Sequence, residues 1–243
     1  MRSFLWCQDR CKWKSKVAWE LVCLPRDEGG LGLRRLDCFN KALIVSHIWK
    51  LISIKESLWV KWVHAYKLRG QSFWDVLIHG EISWGWEKVL QLRPLIREFV
   101  WHNIRNGALT SLWFDRWCPN SPLANTIPTW DIHRAGLNLD SRVCDIVQDD
   151  GWSWPDYLVS KYPFLDQLVM PNRSTRSDAI EWRDETGVVK AFSVSMVWEA
   201  IRHRNVKVPW FDIVWFSSCI PRHACHLCLV FWQRLKTPDK IRN

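Results

Sequence analysis

The stretch DAIEWRDETGVVKAF, residues 178–192, decides how the last third of the chain folds. Apolar and polar residues alternate on both sides of DETG, residues 184–187. A glycine-containing turn between two alternating runs is typical of a β-hairpin. Ser193 or Ser195 then stands where it could cap a helix that carries Trp198. The stretch therefore predicts a strand, a turn, a second strand and a helix.

A second hairpin is predicted earlier in the chain. The apolar runs at residues 100–104 and 110–114 flank an Asn-Gly pair at Asn106 and Gly107. Asn-Gly between two apolar runs is a strong hairpin signal, because both residues tolerate the positive φ angles of a tight turn.

Helical periodicity dominates the first hundred residues. Asp37 stands where it could cap a long helix that runs to Ile52, with apolar residues three and four apart. Ser57 could cap a second helix, and residues 83–92 form a third that Pro94 interrupts and restarts. We therefore expect an α+β fold that is mostly helical, with two small β-hairpins and a Trp-rich core, and with an incomplete domain at the carboxyl terminus.

Tryptophan is unusually frequent, with 20 residues in 243. Most of these side chains stand among other apolar residues at helical or strand spacing, which favours packing in the core. Exposed platforms on which nucleic-acid bases stack are the alternative use of such rings.

The positive charge is concentrated in the first half of the chain. Residues 1–120 hold 19 Lys and Arg against 11 Asp and Glu, whereas residues 121–243 hold 15 against 14. A basic surplus attracts polyanions such as nucleic acid. The basic residues are dispersed, however, so a solvated basic face is the other interpretation.

The nine cysteines are irregularly spaced, and no apolar signal sequence precedes them. This pattern indicates free thiols in a reducing compartment. No apolar run reaches the roughly 18 residues that a membrane-spanning helix needs. We therefore expect an intracellular protein, cytoplasmic or nuclear, without a membrane partner and without a small-molecule substrate.

Short motifs along nearly the whole chain resemble the region downstream of the polymerase core in reverse transcriptases of plant non-LTR (LINE-type) retrotransposons. The motifs are VAWE (17–20), CLP (23–25), GGLG (29–32), NKAL (40–43), LW (58–59), SW (83–84) and WFDRW (113–117). The run FSV at residues 192–194 and Trp198 resemble the start of the reverse transcriptase zinc-binding domain of that family.

The resemblance implies three parts: a basic helical region at residues 1–118, a linker with a short helix at 119–177, and a truncated zinc-binding domain at 178–243. It also implies a non-catalytic part of an RNA-directed DNA polymerase that holds RNA and DNA. The residues expected to contact nucleic acid are Lys12, Lys14, Lys16, Arg34, Arg35 and Lys41.

Cys225 and Cys228 have the C-x-x-C spacing of a zinc site, and His223 and His226 flank them. They fall, however, within what reads as a continuous helix, without the turn that lets two sulfurs converge. In the resembling family the ligands come later, in residues beyond Asn243. We therefore expect no metal ligand among these residues and no cofactor in this chain.

Three other interpretations concern the acidic pair, the histidines and the chain as a whole. Asp149 and Asp150 lack the aromatic residue that precedes the metal-binding pair of a reverse transcriptase, which favours a turn. A metal-dependent hydrolase or nuclease using His223 and His226 is disfavoured, because no nucleophile or metal pair accompanies them. A decayed element fragment without activity is the remaining alternative.

Overall fold

The computed structural model of the protein describes residues 17–77, 80, 82–148, 151–170 and 174–235. The α-helices are α1 (Trp19–Val22), α2 (Leu36–Ile52), α3 (Leu58–Val63), α4 (Trp84–Gln91), α5 (Arg93–Ile96), α6 (Thr129–Arg134), α7 (Val143–Ile146), α8 (Asp156–Lys161), α9 (Val194–Ile201), α10 (Phe211–Val214) and α11 (Pro221–Phe231). The strands are β1 (Val100–Asn103), β2 (Val147–Gln148), β3 (Gly151–Trp152), β4 (Ala179–Arg183) and β5 (Val189–Lys190). Short 3-10 helices lie at Arg26–Glu28, Leu123–Asn125 and Pro163–Leu165, and one π-helical turn, His64–Leu68, continues α3.

The predicted α+β class is confirmed, since helices alternate with two small antiparallel sheets. The chain forms two compact units. The first comprises residues 1–40 and 201–243, and the second comprises residues 41–200.

The larger sheet, in the second unit, has the strand order β1-β4-β5. The hairpin of β4 and β5 confirms the prediction for residues 178–192. Its turn is held by Asp184, whose Oδ1 accepts hydrogen bonds from the backbone N–H of Thr186 and Val188. Gly187 closes the turn at a φ of +81°, which glycine adopts without steric cost.

The predicted hairpin around Asn106 and Gly107 is wrong. β1 pairs with β4 instead, with Val100 opposite Trp182 and Asn103 opposite Ala179. The physical reason is Asp178, at the start of β4, whose carboxylate accepts the backbone N–H groups of the loop that follows β1. The Asp178 carboxylate, which is distant in the sequence, thus binds backbone N–H groups that a hairpin would have used to pair its two strands.

A large apolar core in the second unit gathers around Trp113. Trp113 is fully buried, its indole N–H donates to the carbonyl of Asn138 at 2.7 Å, and its ring lies 6.2 Å from that of Trp154. Residues 123–168 contribute many of the other buried side chains of this core. Trp182, buried in the sheet, stacks on Phe99 with 5.1 Å between ring centroids. The predicted Trp-rich core is therefore present.

The first unit is held together by a small apolar cluster and a buried ion pair. Val214 of α10 packs with Ala224 and Cys228 of α11. The Glu28 carboxylate is paired with the Arg202 guanidinium and also accepts the backbone N–H of Asn205 at 2.9 Å. The hydrogen bond from Arg202 lowers the pKa of Glu28, so this carboxylate stays ionised.

Gly30 is required by close packing of the backbone in the first unit. A Cβ atom at this position would lie 1.9 Å from the carbonyl oxygen of Leu24. The GGLG motif therefore forms a tight turn before α2, in agreement with a structural role for its glycines.

Candidate nucleic-acid interface

Half of the basic residues expected to contact nucleic acid can be located. Lys12, Lys14 and Lys16 lie outside the described residues. The Arg35 guanidinium forms two hydrogen bonds to the Asp37 carboxylate, at 3.1 and 2.7 Å. This pairing raises the pKa of Arg35, lowers that of Asp37, and neutralises much of the charge that Arg35 would offer to a phosphate.

Arg34 and Lys41 are both exposed. The Arg34 guanidinium lies 5.7 Å from the centre of the Phe39 ring, a cation–π arrangement. Lys41 stands near the start of α2, three residues before Ile44.

A second, unexpected surface lies within residues 41–200. Side chains of α2, of α3 with its π-helical extension, and of the start of α4 line a groove with a volume of about 340 Å³. We call this the aromatic groove. Its lining is Ile44, His47, Trp59, Trp62, Val63, Lys67, Ser83, Trp84, Gly85, Trp86, Lys88 and Val89.

Three of the four tryptophans that line the aromatic groove are exposed. Trp59, Trp62 and Trp84 are 37%, 48% and 68% exposed, respectively. The His47 ring packs edge-on against Trp59 at 5.6 Å. The His47 side chain thus supports one of these rings.

Local helix geometry explains why these rings face outward. The Ser57 hydroxyl accepts the backbone N–H of Val60 at 3.1 Å and starts α3, as the sequence predicts. Val60 and Val63 are buried, so Trp59 and Trp62 are left on the other side of the helix. The buried valines anchor the helix, and the exposed rings are free to contact a ligand.

The π-helical turn completes the groove. Its hydrogen bond runs from the backbone N–H of Arg69 to the carbonyl of His64, so the turn holds one residue more than an α-helical turn. In a regular α-helix, a residue five positions on is rotated by about 140° around the axis. The wider turn instead places the Lys67 ammonium 5.7 Å from the centre of the Trp62 ring.

The charge of the aromatic groove is positive. Within the described residues, its lining contains Lys67 and Lys88 and no Asp or Glu. The Lys88 ammonium donates to Gln91 Oε1 at 2.9 Å, and Gln91 in turn donates to Glu87. A neutral amide oxygen thus orients the Lys88 ammonium, which leaves its positive charge to interact with a ligand.

The sequence held only part of the signal for this groove. Trp62 and Tyr66 share a helix face by their spacing and do stack, with 6.0 Å between centroids. Nothing in the local pattern joins Trp84 to them, because α4 reaches the groove through tertiary packing. A few of the described tryptophans are therefore exposed, while most are buried or half-buried.

The C-x-x-C pair lies on a helix, as predicted. Cys225 and Cys228 are both in α11, where Cys228 is fully buried. Burial raises the pKa of Cys225, and it raises the pKa of Cys228 to about 11. Both are therefore thiols at neutral pH. His226 Nδ1 lies 2.7 Å from the carbonyl of Arg222, within the same helix.

The carboxyl-terminal end of the chain resembles a known protein family. Residues 192–243 match a family described as zinc-binding in reverse transcriptase. The carboxyl-terminal segment is therefore similar to this family. The resemblance to plant retroelement reverse transcriptases is thereby confirmed, and the segment corresponds to an accessory part of such enzymes rather than to their catalytic core.

Two curated relatives, both from Arabidopsis thaliana, support this placement. A protein that carries the name of a ribonuclease H protein is 35% identical over 256 residues, which cover 98% of this chain and 40% of the relative. An uncharacterised mitochondrial protein is 29% identical over 120 residues, which cover 48% of this chain and 77% of the relative. The chain thus spans well under half the length of the first relative. No solved structure matches the chain.

The zinc-binding segment does not present a zinc site in its described part. Among residues 17–235, apart from the short gaps given above, no three His, Cys, Asp or Glu side chains are grouped so that they could hold a metal ion. Cys225 and Cys228 lie on a regular helix, and Cys228 is packed in the apolar cluster with Val214 and Ala224, which does not fit a zinc site.

Among the described residues, no helix is both long enough and apolar enough to cross a membrane.

Proposed function

We propose that this chain is an accessory, non-catalytic part of a retroelement reverse transcriptase, and that its aromatic groove holds single-stranded RNA or DNA. The observation that carries the proposal is the groove itself, in which three exposed tryptophans lie beside two lysines. In this proposal the chain contributes binding and no catalytic step.

The chemistry of the aromatic groove favours single strands over duplex. Unpaired bases offer flat faces to Trp59, Trp62 and Trp84, and each base–aromatic stack contributes about 1–3 kcal/mol. Bases within a duplex are already stacked on one another and offer only their edges. Lys67 and Lys88 would meet the phosphates between successive bases.

The basic residues predicted from the sequence have a secondary place in this proposal. Lys12, Lys14, Lys16, Arg34 and Lys41 would attract a strand at long range, without holding its phosphates in the bound state. Arg35 would add less, because Asp37 already accepts both of its hydrogen bonds.

Trp84→Ala tests the proposal directly. We expect this change to weaken the binding of a single-stranded oligonucleotide of about ten nucleotides by roughly 5- to 150-fold, the loss of one base stack. Fluorescence anisotropy with a labelled oligonucleotide measures the effect on the full chain.

Trp130→Ala is the matched control, because Trp130 is 59% exposed and does not line the aromatic groove. Its affinity should stay within about twofold of the unchanged chain. Equal losses in the two variants, or no binding by the unchanged chain, would refute the role of the groove.

A further inference from the structure

A second cavity lies within residues 41–200, and the proposed function does not use it. This cleft has a volume of about 320 Å³. Its walls come from the end of α2, from the chain after the π-helical turn, from β1, from the loop around Asp178 and from residues 139–142. We call it the His102 cleft.

His102 is the unusual group in its lining. The side chain is only 6% exposed, yet Nδ1 has no hydrogen-bond partner within the described part of the chain. The other ring nitrogen, Nε2, lies 3.6 Å from Asp115 Oδ2, which is longer than a hydrogen bond. Buried polar atoms are almost always paired, so an imidazole in a cavity wall without a short hydrogen bond is the group of this lining that most lacks a partner.

Asp115 is held in place and still has bonding capacity. Its Oδ2 accepts the backbone N–H of Ser111 at 2.7 Å, which fixes the carboxylate beside the imidazole. An ionised carboxylate has about four acceptor positions. The cleft therefore offers an imidazole and a carboxylate side by side, able to bind donors and acceptors of one ligand.

The charges of the lining argue against an anionic ligand. Three aspartates, Asp115, Asp140 and Asp178, face a single arginine, Arg142. Asp178 is occupied by the loop N–H groups, and the Arg142 guanidinium donates to the carbonyl of Leu109 at 2.9 Å. A phosphate would meet a surplus of negative charge, whereas a neutral ligand with amino groups would not.

Aromatic side chains form one wall of the cleft. Phe73 and Trp74 both line it, with 5.3 Å between their ring centroids. The Arg93 guanidinium donates to both of their backbone carbonyls, at 3.0 and 3.2 Å. This part of the wall is therefore held rigidly, and it favours a planar ligand.

We propose that the His102 cleft binds a neutral nucleobase, with His102 and Asp115 contacting its polar edge and the Phe73–Trp74 wall contacting its plane. The base could belong to a free nucleoside or to a strand that occupies the aromatic groove. The cleft would recognise the same groups of the base in a nucleoside and in a strand. In the second case the inference rests on the proposed function, since α2 and the π-helical turn line both sites.

The first arm of the test uses free nucleosides. Adenosine, guanosine, cytidine and uridine are titrated into the full chain by isothermal calorimetry, with ribose 5-phosphate as the probe that lacks a base. We expect saturable binding of at least one nucleoside below about 1 mM, none of ribose 5-phosphate, and a loss of at least tenfold in His102→Phe. His133→Phe, at an exposed histidine of α6, is the matched control and should bind normally.

The second arm uses a single-stranded oligonucleotide. If the base comes only from a strand, free nucleosides fail to bind, but His102→Phe still weakens oligonucleotide binding at least fivefold relative to His133→Phe. Asp115→Asn provides a second variant if His102→Phe does not fold, because the amide oxygen can still accept the Ser111 N–H. It should show the same direction of change.

The outcomes separate the two proposals. The nucleobase assignment is overturned if neither nucleosides nor oligonucleotides are sensitive to His102→Phe and Asp115→Asn, or if ribose 5-phosphate binds as well as a nucleoside. Nucleoside binding that depends on His102, together with oligonucleotide binding that is insensitive to Trp84→Ala, would overturn the aromatic groove and leave the nucleobase cleft standing.

Discussion

Asp178 determines the path of the loop that connects β1 to the buried core of the second unit. Its carboxylate accepts hydrogen bonds from the backbone N–H groups of Arg105 and Gly107 at 2.7 and 2.9 Å. Those of Leu109 and Thr110 follow at 3.1 Å each. Burial by itself would raise the pKa of Asp178, but the backbone N–H groups of Arg105 and Gly107, with the Thr110 hydroxyl, outweigh it and lower the pKa.

Gly107 lets this loop approach the neighbouring chain closely. It has a φ of +72°, and a Cβ atom there would lie 2.8 Å from the backbone nitrogen of Cys144. The Asn106–Gly107 pair thus allows the loop to pack closely against α7 and does not form a hairpin turn. The same local chemistry suits both structures, and the partner that the loop meets determines which one forms.

We expect Asp178→Asn to lower the free energy of unfolding by about 2–4 kcal/mol, because the amide group would face backbone N–H donors and leave some of them unpaired. Urea denaturation measures the change. Asp166→Asn, at an exposed aspartate, should stay within about 0.5 kcal/mol of the unchanged chain. A similar value for the two variants would contradict the role of Asp178.

The pH dependence follows from the lowered pKa. A carboxylate with a lowered pKa in the folded state stabilises the fold above its unfolded pKa of about 4. That contribution is lost as the pH falls through the lower folded value. Thermal melts of the unchanged chain at a series of pH values from 6 downward should therefore show a fall in melting temperature below about pH 4. The loss should be smaller in Asp178→Asn, which has no proton to gain.

At the scale of single elements, α3 is short and depends on its ends and its buried face. Six residues supply few internal hydrogen bonds, so helix formation relies on the Ser57 cap and on packing of Val60 and Val63. The π-helical turn that follows ends at Arg69 with a φ of +48°. The aromatic groove therefore rests on an element that is only marginally stable alone.

Ser57→Ala should destabilise the chain by about 0.5–2 kcal/mol through loss of the cap on α3. The matched control is Ser46→Ala, since the Ser46 hydroxyl donates to the carbonyl of Leu43 within α2 and caps nothing. Alanine favours helix interiors, so the control should be neutral or slightly stabilising. Chemical denaturation of both variants would show whether the cap matters; a control that loses as much as Ser57→Ala would exclude it.

At the scale of the whole molecule, salt dependence distinguishes a local groove from a dispersed basic surface. The chain has a net charge of +9, but the aromatic groove contains two of its lysines. Two phosphate contacts on a single strand predict a slope of log K against log salt of about −1.4, whereas six contacts predict about −4.

We expect the shallower slope for the full chain, because stacking supplies most of the affinity in the proposed mode. Oligonucleotide titrations at several salt concentrations measure it. A slope near −4 that is unchanged in Trp84→Ala would contradict this expectation. It would indicate that the dispersed basic residues suggested by the sequence bind the nucleic acid instead.

The sequence by itself determined the features whose causes are local. The Ser57 cap specifies the start of α3, and apolar periodicity specifies α2 and α4, because these signals act within a few residues. The expected cap of α2 was wrong: this helix begins at Leu36, so Asp37 lies in its first turn, where its carboxylate pairs with Arg35. The alternating stretch at residues 178–192 specifies the hairpin of β4 and β5. The motif order determined the resemblance to reverse transcriptases, and the helical spacing around Cys225 and Cys228 placed both thiols on a helix.

Only the tertiary structure decided the features that join distant residues. The pairing of β1 with β4 and the capture of the Asn106–Gly107 loop by Asp178 depend on a contact about seventy residues away in the chain. Trp84 meets Trp62 in one groove, and His102 meets Asp115 in one cleft, because separate elements pack together. Backbone geometry determines which residues lie close together within one element. Contacts between separate elements depend instead on how their buried faces pack against one another. The candidate sites were therefore visible in the fold and not in the motifs.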